Sequence, residues 1–324
     1  GCRCDNKTDD TRALQAIVNS CAAANLPVVV PANVTCLSQP LELPSHTHVS
    51  LSGTLKAGAK WTTGVPFVSA TNAVNVSIAG EGTIDGSGKQ WWTGSNKTPN
   101  RPKLVVFNNV SDVTFTGLTM KNAASFHFYF TGEHYRIVDV SVYSPPYTIA
   151  PNTDGIDIGG SDVYLSRVFV RNGDDSICLK GQAHDVVVED SVVEQGNGLV
   201  VGTSSNIAVR NVTFRRCTAN GTRYGAHVKA KDAQVGTVSD IVWEDIVVDN
   251  VWYAMSIDQY TQDPAVVQSP QSSVVVSNVT YSNFTVGPGG NVSHAGFFAC
   301  QDVPGLRCTG INMNDVQLDS AANG

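Results

Sequence analysis

The 324-residue chain lacks any apolar run long enough to cross a bilayer as a helix. It also lacks a Cys-x-x-Cys pair, so the usual spacing of a structural zinc site is missing. Charge is sparse: Asp, Glu, Lys and Arg make up 15% of the residues, and the net charge is −7. The basic residues gather in no stripe, which argues against a nucleic-acid partner. No linker or low-complexity stretch interrupts the chain, so one domain over 1–324 is expected. The opening GCRCDNKTDD has no apolar secretory core and reads as a mature or trimmed N-terminus.

What is present points to an oxidising compartment. There are eight cysteines: Cys2, Cys4, Cys21, Cys36, Cys178, Cys217, Cys300 and Cys308. Asn-x-Ser/Thr sequons begin at Asn6, Asn33, Asn75, Asn96, Asn109, Asn211, Asn220, Asn278, Asn283 and Asn291. An even cysteine set with so many sequons predicts a secreted, extracellular, disulfide-bonded glycoprotein. Cys300 and Cys308 flank a short loop and are expected to pair. Cys2, Cys4, Cys21 and Cys36 are expected to staple the N-terminal region, their pairing open. A monomer without membrane contact is expected.

The sequence repeats. NVSIAGEGTI starts at Asn75, DVTFTGLTM at Asp112, YRIVDVSV at Tyr135 and DVYLSRVFV at Asp162. DVVVEDSVV follows at Asp185, NIAVRNVTF at Asn206, DIVWEDIVV at Asp240 and SVVVSNVTY at Ser273. Each has a polar start, a short β-branched strand, a polar step and a second short strand. The starts are 37, 23, 27, 23, 21, 34 and 33 residues apart. A period in the low twenties, lengthened by inserted loops, predicts an all-β fold, a right-handed parallel β-helix. Leucine-rich repeats share the period but not the Leu-x-x-Leu-x-Leu pattern, and a β-sandwich would show hairpin turns. Residues 9–24 predict a short capping helix, with Asp9 or Asp10 at its start and an apolar stripe of Leu14, Ile17, Val18 and Cys21.

The repeat also places side chains. Counted back from the next repeat start, Asp154 lies 8 residues away, Asp174 and Asp175 11 and 10, and Asn197 9. His227 and Lys229 lie 13 and 11 residues away, and Tyr260 13. All fall in the same part of successive coils, so they are expected to line one strip. Stacked carboxylates oppose each other's ionisation, which suits a pairing of one acid with one base. A purely structural ladder and a calcium site are the competing readings. Asp157 and Asp162 read as turn or strand-edge residues, and His184 as surface. Trp91 and Trp92 lie in a Gly/Ser-rich loop, either as stacking rings on a ligand or as buried loop anchors. In FHFYF, the aromatic residues read as core and His127 as structural.

On these residues the chain resembles glycoside hydrolase family 28, the polygalacturonase family that degrades pectin. The resemblance runs through TDDTRALQAIVNSC, VSLSGTLKA, GEGTIDGSGKQWW, RPKLVVF and SIDQY, and rests on Asn-Thr-Asp followed by Gly-Asp-Asp in order and at this spacing. It implies a β-helix that hydrolyses α-1,4-galacturonosyl linkages with inversion, without cofactor or metal. Asp174 would be the general acid, and Asp154 and Asp175 would hold and activate water. Asn197, His227, Lys229 and Tyr260 would bind the pectic polysaccharide, Lys229 through a galacturonate carboxylate. The chain departs from the family pattern twice. Gly196-Asn197-Gly198 stands where Gly-His-Gly is usual, and His227-Val228-Lys229 where Arg-Ile-Lys is usual. Loss of the arginine removes a bidentate carboxylate clamp. Modest length leaves few insertions to block a cleft, which favours endo action. Exo action and hydrolysis of xylogalacturonan or rhamnogalacturonan are the alternatives. A calcium-dependent lyase and a non-catalytic pectin-binding protein are more distant ones.

Overall fold

The computed structural model describes residues 1–58, 62–92, 100–202, 204–231, 234–260 and 272–318. The sequon at Asn96 lies outside them. The chain folds as two compact units, 1–157 with 164–174, and 158–163 with 175–324. Each is a run of coils of a right-handed parallel β-helix, and the strand pairings within each are parallel.

In the first unit the capping helix α1 covers Thr11–Ala24. It buries Leu14, Val18 and Ala22, one residue per turn, while Ile17 and Cys21 are only half-buried. Asp10 stands at its N-cap, but its carboxylate accepts from the backbone N–H of Arg3 and Cys4, at 2.8 and 2.7 Å. It therefore pins the N-terminal segment rather than the helix. Asn25 ends the helix in the left-handed region, at φ 52°. Among the described residues, no helix is long and apolar enough to cross a membrane.

The strands β1 (Val105–Thr116) and β2 (Phe128–Val138) pair in parallel, with Phe107 opposite Phe130 and Phe115 opposite Ile137. Their inward residues form an aromatic core. Phe128 lies 4.6 Å from Phe115 and 4.9 Å from Phe130, ring centre to ring centre, and Phe130 stacks on Tyr135 at 4.0 Å.

The second unit carries the short site strands β3 (Ile177–Leu179) and β4 (Leu199–Gly202). Beyond them come β5 (Asn206–Asn220), β6 (Tyr224–Lys229), β7 (Val235–Asp249), β8 (Val251–Asp258), β9 (Ser273–Val286) and β10 (Val292–Ala299). β3, β4, β6, β8 and β10 pair in that order, and so do β5, β7 and β9. In the core Trp243 is sandwiched between Phe214 and Tyr281, with ring centres 5.7 and 5.1 Å away.

The polar start and polar step of the repeat have one cause. Asn75, Asp112, Asp162, Asp185 and Asp240 all have φ between 50° and 57°, as have Asn211, Asp245, Asn278 and Asn283 at steps inside the strands. The chain turns a corner at each, and Asn and Asp tolerate that left-handed backbone better than other side-chain-bearing residues. Corners are then cross-linked along the stack. Asn278 donates to Asp240 at 3.1 Å, and Asn283 to Asp245 at 2.7 Å.

Cys300 and Cys308 form the expected disulfide, and Cys4 pairs with Cys36. Cys2 and Cys21 remain thiols, which corrects the expectation that all four N-terminal cysteines act as staples. Cys178 and Cys217 are buried thiols.

Candidate active site

In the first unit Asp154 and Asp174 approach each other, with carboxylate oxygens within 4.8 Å. Asp154 is buried and Asp174 half-buried. Their two loops are laced together by the remaining motif residues. The Asn172 amide donates to the backbone oxygens of Thr153 and Asp174, at 3.0 and 3.1 Å. The Thr153 hydroxyl donates to the Ala150 oxygen at 2.7 Å and accepts from Ser144 Oγ at 2.9 Å and the Gly173 N–H at 3.1 Å. Gly173 is required there, since a Cβ would meet the Ala150 oxygen at 2.3 Å. Hence Asn-Thr-Asp and Asn-Gly-Asp are not just two carboxylates in turns: the Asn, Thr and Gly fix the two carboxylates against each other.

Three further groups attend this pair. Asn152 donates to Asp174 Oδ2 at 3.2 Å. Arg101 donates to the Pro151 oxygen; burial pulls its guanidinium below its usual range, while Asp154 and Asp174 pull it back up. His127 is fully buried, with Nδ1 2.9 Å from the Asp154 backbone oxygen and Nε2 3.2 Å from the Tyr143 oxygen. Burial lowers its pKa to about 4, so it is a neutral, structural histidine. A cation could bridge Asp154 and Asp174, since both offer hard oxygen ligands.

The next residue, Asp175, belongs to the second unit and is 2% exposed. Asn197 donates to its Oδ1 at 2.8 Å, and Lys229 Nζ lies 3.2 Å from its Oδ2. Burial alone would raise the Asp175 pKa. The charges of Lys229 and Lys180, with these two hydrogen bonds, outweigh burial and hold it below the usual carboxylate range. The turn that presents Asn197 needs Gly198, whose φ is +92° and whose Cβ would fall 1.8 Å from the Tyr224 oxygen.

His227, expected among the polysaccharide-binding residues, is 2% exposed. Its ring stacks on Tyr224 with centres 4.0 Å apart, and Nδ1 lies 2.7 Å from Ser256 Oγ. Burial, then the Lys229 charge, lower its pKa to about 3. It forms floor beneath Tyr224 rather than a free cation. Tyr260 is half-buried, and its N–H donates to Asp258 Oδ1 at 3.0 Å; residues 261–271 after it lie outside the described residues.

Sequence reasoning passed over Arg101, Asn152, Asn172, Lys180 and Tyr224. Asn152 and Asn172 were visible as motif members. Arg101 lies too far along the chain from Asp154 for any local pattern to join them. Asp157 is fully buried inside a strand, not at a turn, whereas Asp162 is an exposed corner residue. Trp91 and Trp92 lie in a short helix, Lys89–Trp92, not in a loop; Trp91 is buried, and the Trp92 indole donates to the Ala123 oxygen at 3.2 Å.

Comparison with known proteins bears on the fold and the family. The chain is 28% identical to a polygalacturonase of Chamaecyparis obtusa over 97% of its own length, and spans 65% of that protein. An exopolygalacturonase of Thermotoga maritima superposes with a TM-score of 0.77 at 21% identity, covering 88% of this chain and 79% of that one. An endo-xylogalacturonan hydrolase of Aspergillus tubingensis superposes with a TM-score of 0.76 at 22% identity, covering 100% of this chain and 97% of that one. At such identities the two structures speak for the fold. The sequence profile of glycosyl hydrolases family 28 matches residues 21–323, and the chain belongs to that family.

Proposed function

We propose that the chain is a secreted, inverting hydrolase of α-1,4-galacturonosyl linkages in the pectin backbone, acting in endo mode. The observation that carries the hydrolase reading is the Asp154–Asp174 pair, fixed within 4.8 Å by Thr153 and Asn172; inversion is what the family resemblance implies, the usual inverting spacing being about 6.5–9.5 Å. Repulsion between two carboxylates this close favours retention of one proton on the pair. Asp174, the more exposed of the two, is the general acid. It gives its proton to the leaving glycosidic oxygen as the bond from that oxygen to the anomeric carbon breaks. Water attacks the same carbon from the opposite face, and its proton passes to a carboxylate of Asp154 or Asp175. Asp175 suits the base role, because Lys229, Lys180 and Asn197 favour its ionised form. Asn197, Lys229 and Tyr260 bind substrate, and His227 supports Tyr224 below them. The reaction needs no metal. Among the described residues, the short connection 221–223 between β5 and β6 supports endo action. Clustered sequons and two disulfides support secretion.

A second reading, hydrolysis of xylose-substituted galacturonan, rests on His227. Its burial leaves no arginine-like clamp for a plain galacturonate carboxylate at that position.

The test is product analysis on polygalacturonan, xylogalacturonan and rhamnogalacturonan at mildly acidic pH with chelator present. Saturated oligomers of mixed size from polygalacturonan, released with inverted anomeric configuration, are expected. Monomer alone would mean exo action. Activity confined to the xylose-substituted polymer would favour the second reading. Unsaturated, ultraviolet-absorbing ends, or abolition by chelator, would overturn the hydrolase reading in favour of a lyase.

A further inference from the structure

The residue before Tyr260 is bound on every side. Gln259 follows the end of β8 and is fully buried. Its backbone N–H donates to the Ala299 oxygen at 3.0 Å. Its Nε2 donates to the backbone oxygens of Val274 and Leu306, at 2.7 and 2.9 Å, and its Oε1 accepts from the Gln301 N–H at 2.8 Å. Both hydrogens of the amide and its oxygen are therefore in use. Gln301 is 1% exposed, and its Nε2 donates to the Ser272 oxygen at 2.7 Å and to the Gln259 oxygen at 3.4 Å. Gln301 and Leu306 lie inside the loop that the Cys300–Cys308 disulfide closes, and Cys308 Sγ is 3.3 Å from Gln259 Oε1.

Packing alone does not call for amides here. Lys229 is in register with Asp258, so the residue corresponding to Gln259 one coil back is the buried Ala230. A buried amide costs free energy wherever a bond is unmade, and Gln301 Oε1 is buried with no donor among the described residues. What the two amides add is a connection. They tie both ends of the disulfide loop, through Gln301 and Leu306, to Gln259. They tie the same loop to the start of β9, through Ser272 and Val274. Tyr260 is the next residue, about 3.8 Å away along the chain, and its N–H is held by Asp258 Oδ1 at 3.0 Å. The backbone that carries the Tyr260 ring is thus fixed from behind by the loop and from below by Asp258.

We propose that Gln259 and Gln301 are positioning residues: their amides lock the loop 300–308 onto the strand end that presents Tyr260, and so set how well Tyr260 meets substrate. Neither glutamine takes part in proton transfer. The proposal deepens the galacturonan-hydrolase reading and rests on it for the role of Tyr260.

The test is a double-mutant cycle read in KM on polygalacturonate, with melting curves to check that each variant is folded. Gln301→Met and Gln259→Met are each expected to raise KM about tenfold with kcat within about twofold of the parent. A merely structural role would lower the amount of active enzyme, and with it the apparent kcat, and leave KM alone. Gln301→Met removes the orphan oxygen together with the donors, so it serves if Gln259→Met does not fold. Tyr260→Ala should raise KM as well, and Gln301→Met should then add nothing, because its effect runs through Tyr260. Unchanged KM in Gln301→Met would overturn the proposal. So would unchanged KM in Tyr260→Ala, or a full further rise when the two are combined. A second readout needs no turnover. In protein carrying 3-fluorotyrosine, the fluorine line of Tyr260, identified by its loss in Tyr260→Phe, should shift in Gln301→Met, and an unshifted line would overturn the clamp. A shifted line in a chain that releases no product from any pectic polymer would overturn the hydrolase reading and leave the clamp on Tyr260 standing.

Discussion

Lys229 and Asp175 form an ion pair of 3.2 Å across three coils, with the carboxylate 3% and the amine 23% exposed at their side chains. The lysine expected to meet the substrate's carboxylate thus already serves a carboxylate of the enzyme. It holds Asp175 ionised, so any substrate carboxylate it also binds shares its charge.

That pairing fixes the effect of removing it. In Lys229→Met, Asp175 keeps its burial and loses its largest compensating charge, so its pKa rises. The acidic limb of the pH–rate profile should move to higher pH, with kcat down at least tenfold. In the parent the pair's stabilisation is complete above the unfolded carboxylate value of about 3.9 and is lost as pH falls through the lower folded value. Breaking it should cost on the order of 3 kcal/mol at neutral pH, read by denaturant unfolding.

Asn197 is the other half of the same support. Asn197→Leu keeps approximate size and removes the donor to Asp175 Oδ1, at a cost of about 2 kcal/mol for a hydrogen bond to a charged group. The acidic limb should shift in the same direction as in Lys229→Met but less far. An unshifted profile in both variants would mean that Asp175 is not the titrating base.

Buried histidines set a separate acid sensitivity. The folded pKa of His127 is about 4 and that of His227 about 3, both below the ordinary 6.5. The unfolded chain takes up protons from about pH 6.5 downward while the folded one does not. Stability should therefore fall as pH drops from 6.5 to about 4, by about 3 kcal/mol per histidine, and the His227 loss should continue to about pH 3. His227→Gln should flatten part of that slope in urea titrations at several pH values.

How much of this could be read in the sequence depends on the range of the interaction. The coils were legible because each corner demands a left-handed backbone and so writes Asn or Asp there, as at the repeat starts Asp185 and Asp240 and at the inner step Asn211. The adjacency of Asp154 and Asp174 was legible because both precede a repeat start by a similar distance, 8 and 11 residues, and so fall in the same part of successive coils. What the repeat could not show was depth. Strand alternation puts His227 and Lys229 on one face, but only the stacked Tyr224 ring decides that His227 lies beneath the surface. Arg101 was invisible because its approach to Asp154 and Asp174 depends on the path of one loop, not on the repeat.

The core stack allows a clean test of packing. Trp243→Ala would leave a cavity between Phe214 and Tyr281, whose rings could not close the gap without moving their strands. A loss of about 4 kcal/mol is expected in chemical denaturation.

Asp174→Asn separates catalysis from structure. The amide keeps the shape of the carboxyl and can still meet Asn152, but it has no proton to give to a leaving oxygen. It also removes one of two negative charges held within 4.8 Å. Turnover should fall by at least a thousandfold while the melting temperature holds or rises, because relief of repulsion opposes the loss of Arg101's attraction. Asp154→Asn should lower turnover as well, but on the base side, with the acidic limb of the pH–rate profile altered instead of the alkaline one. If Asp174→Asn kept its turnover, the proton would have to come from another group. The half-exposed carboxyl beside Asn152 would then be a structural partner of Asp154 and not the acid.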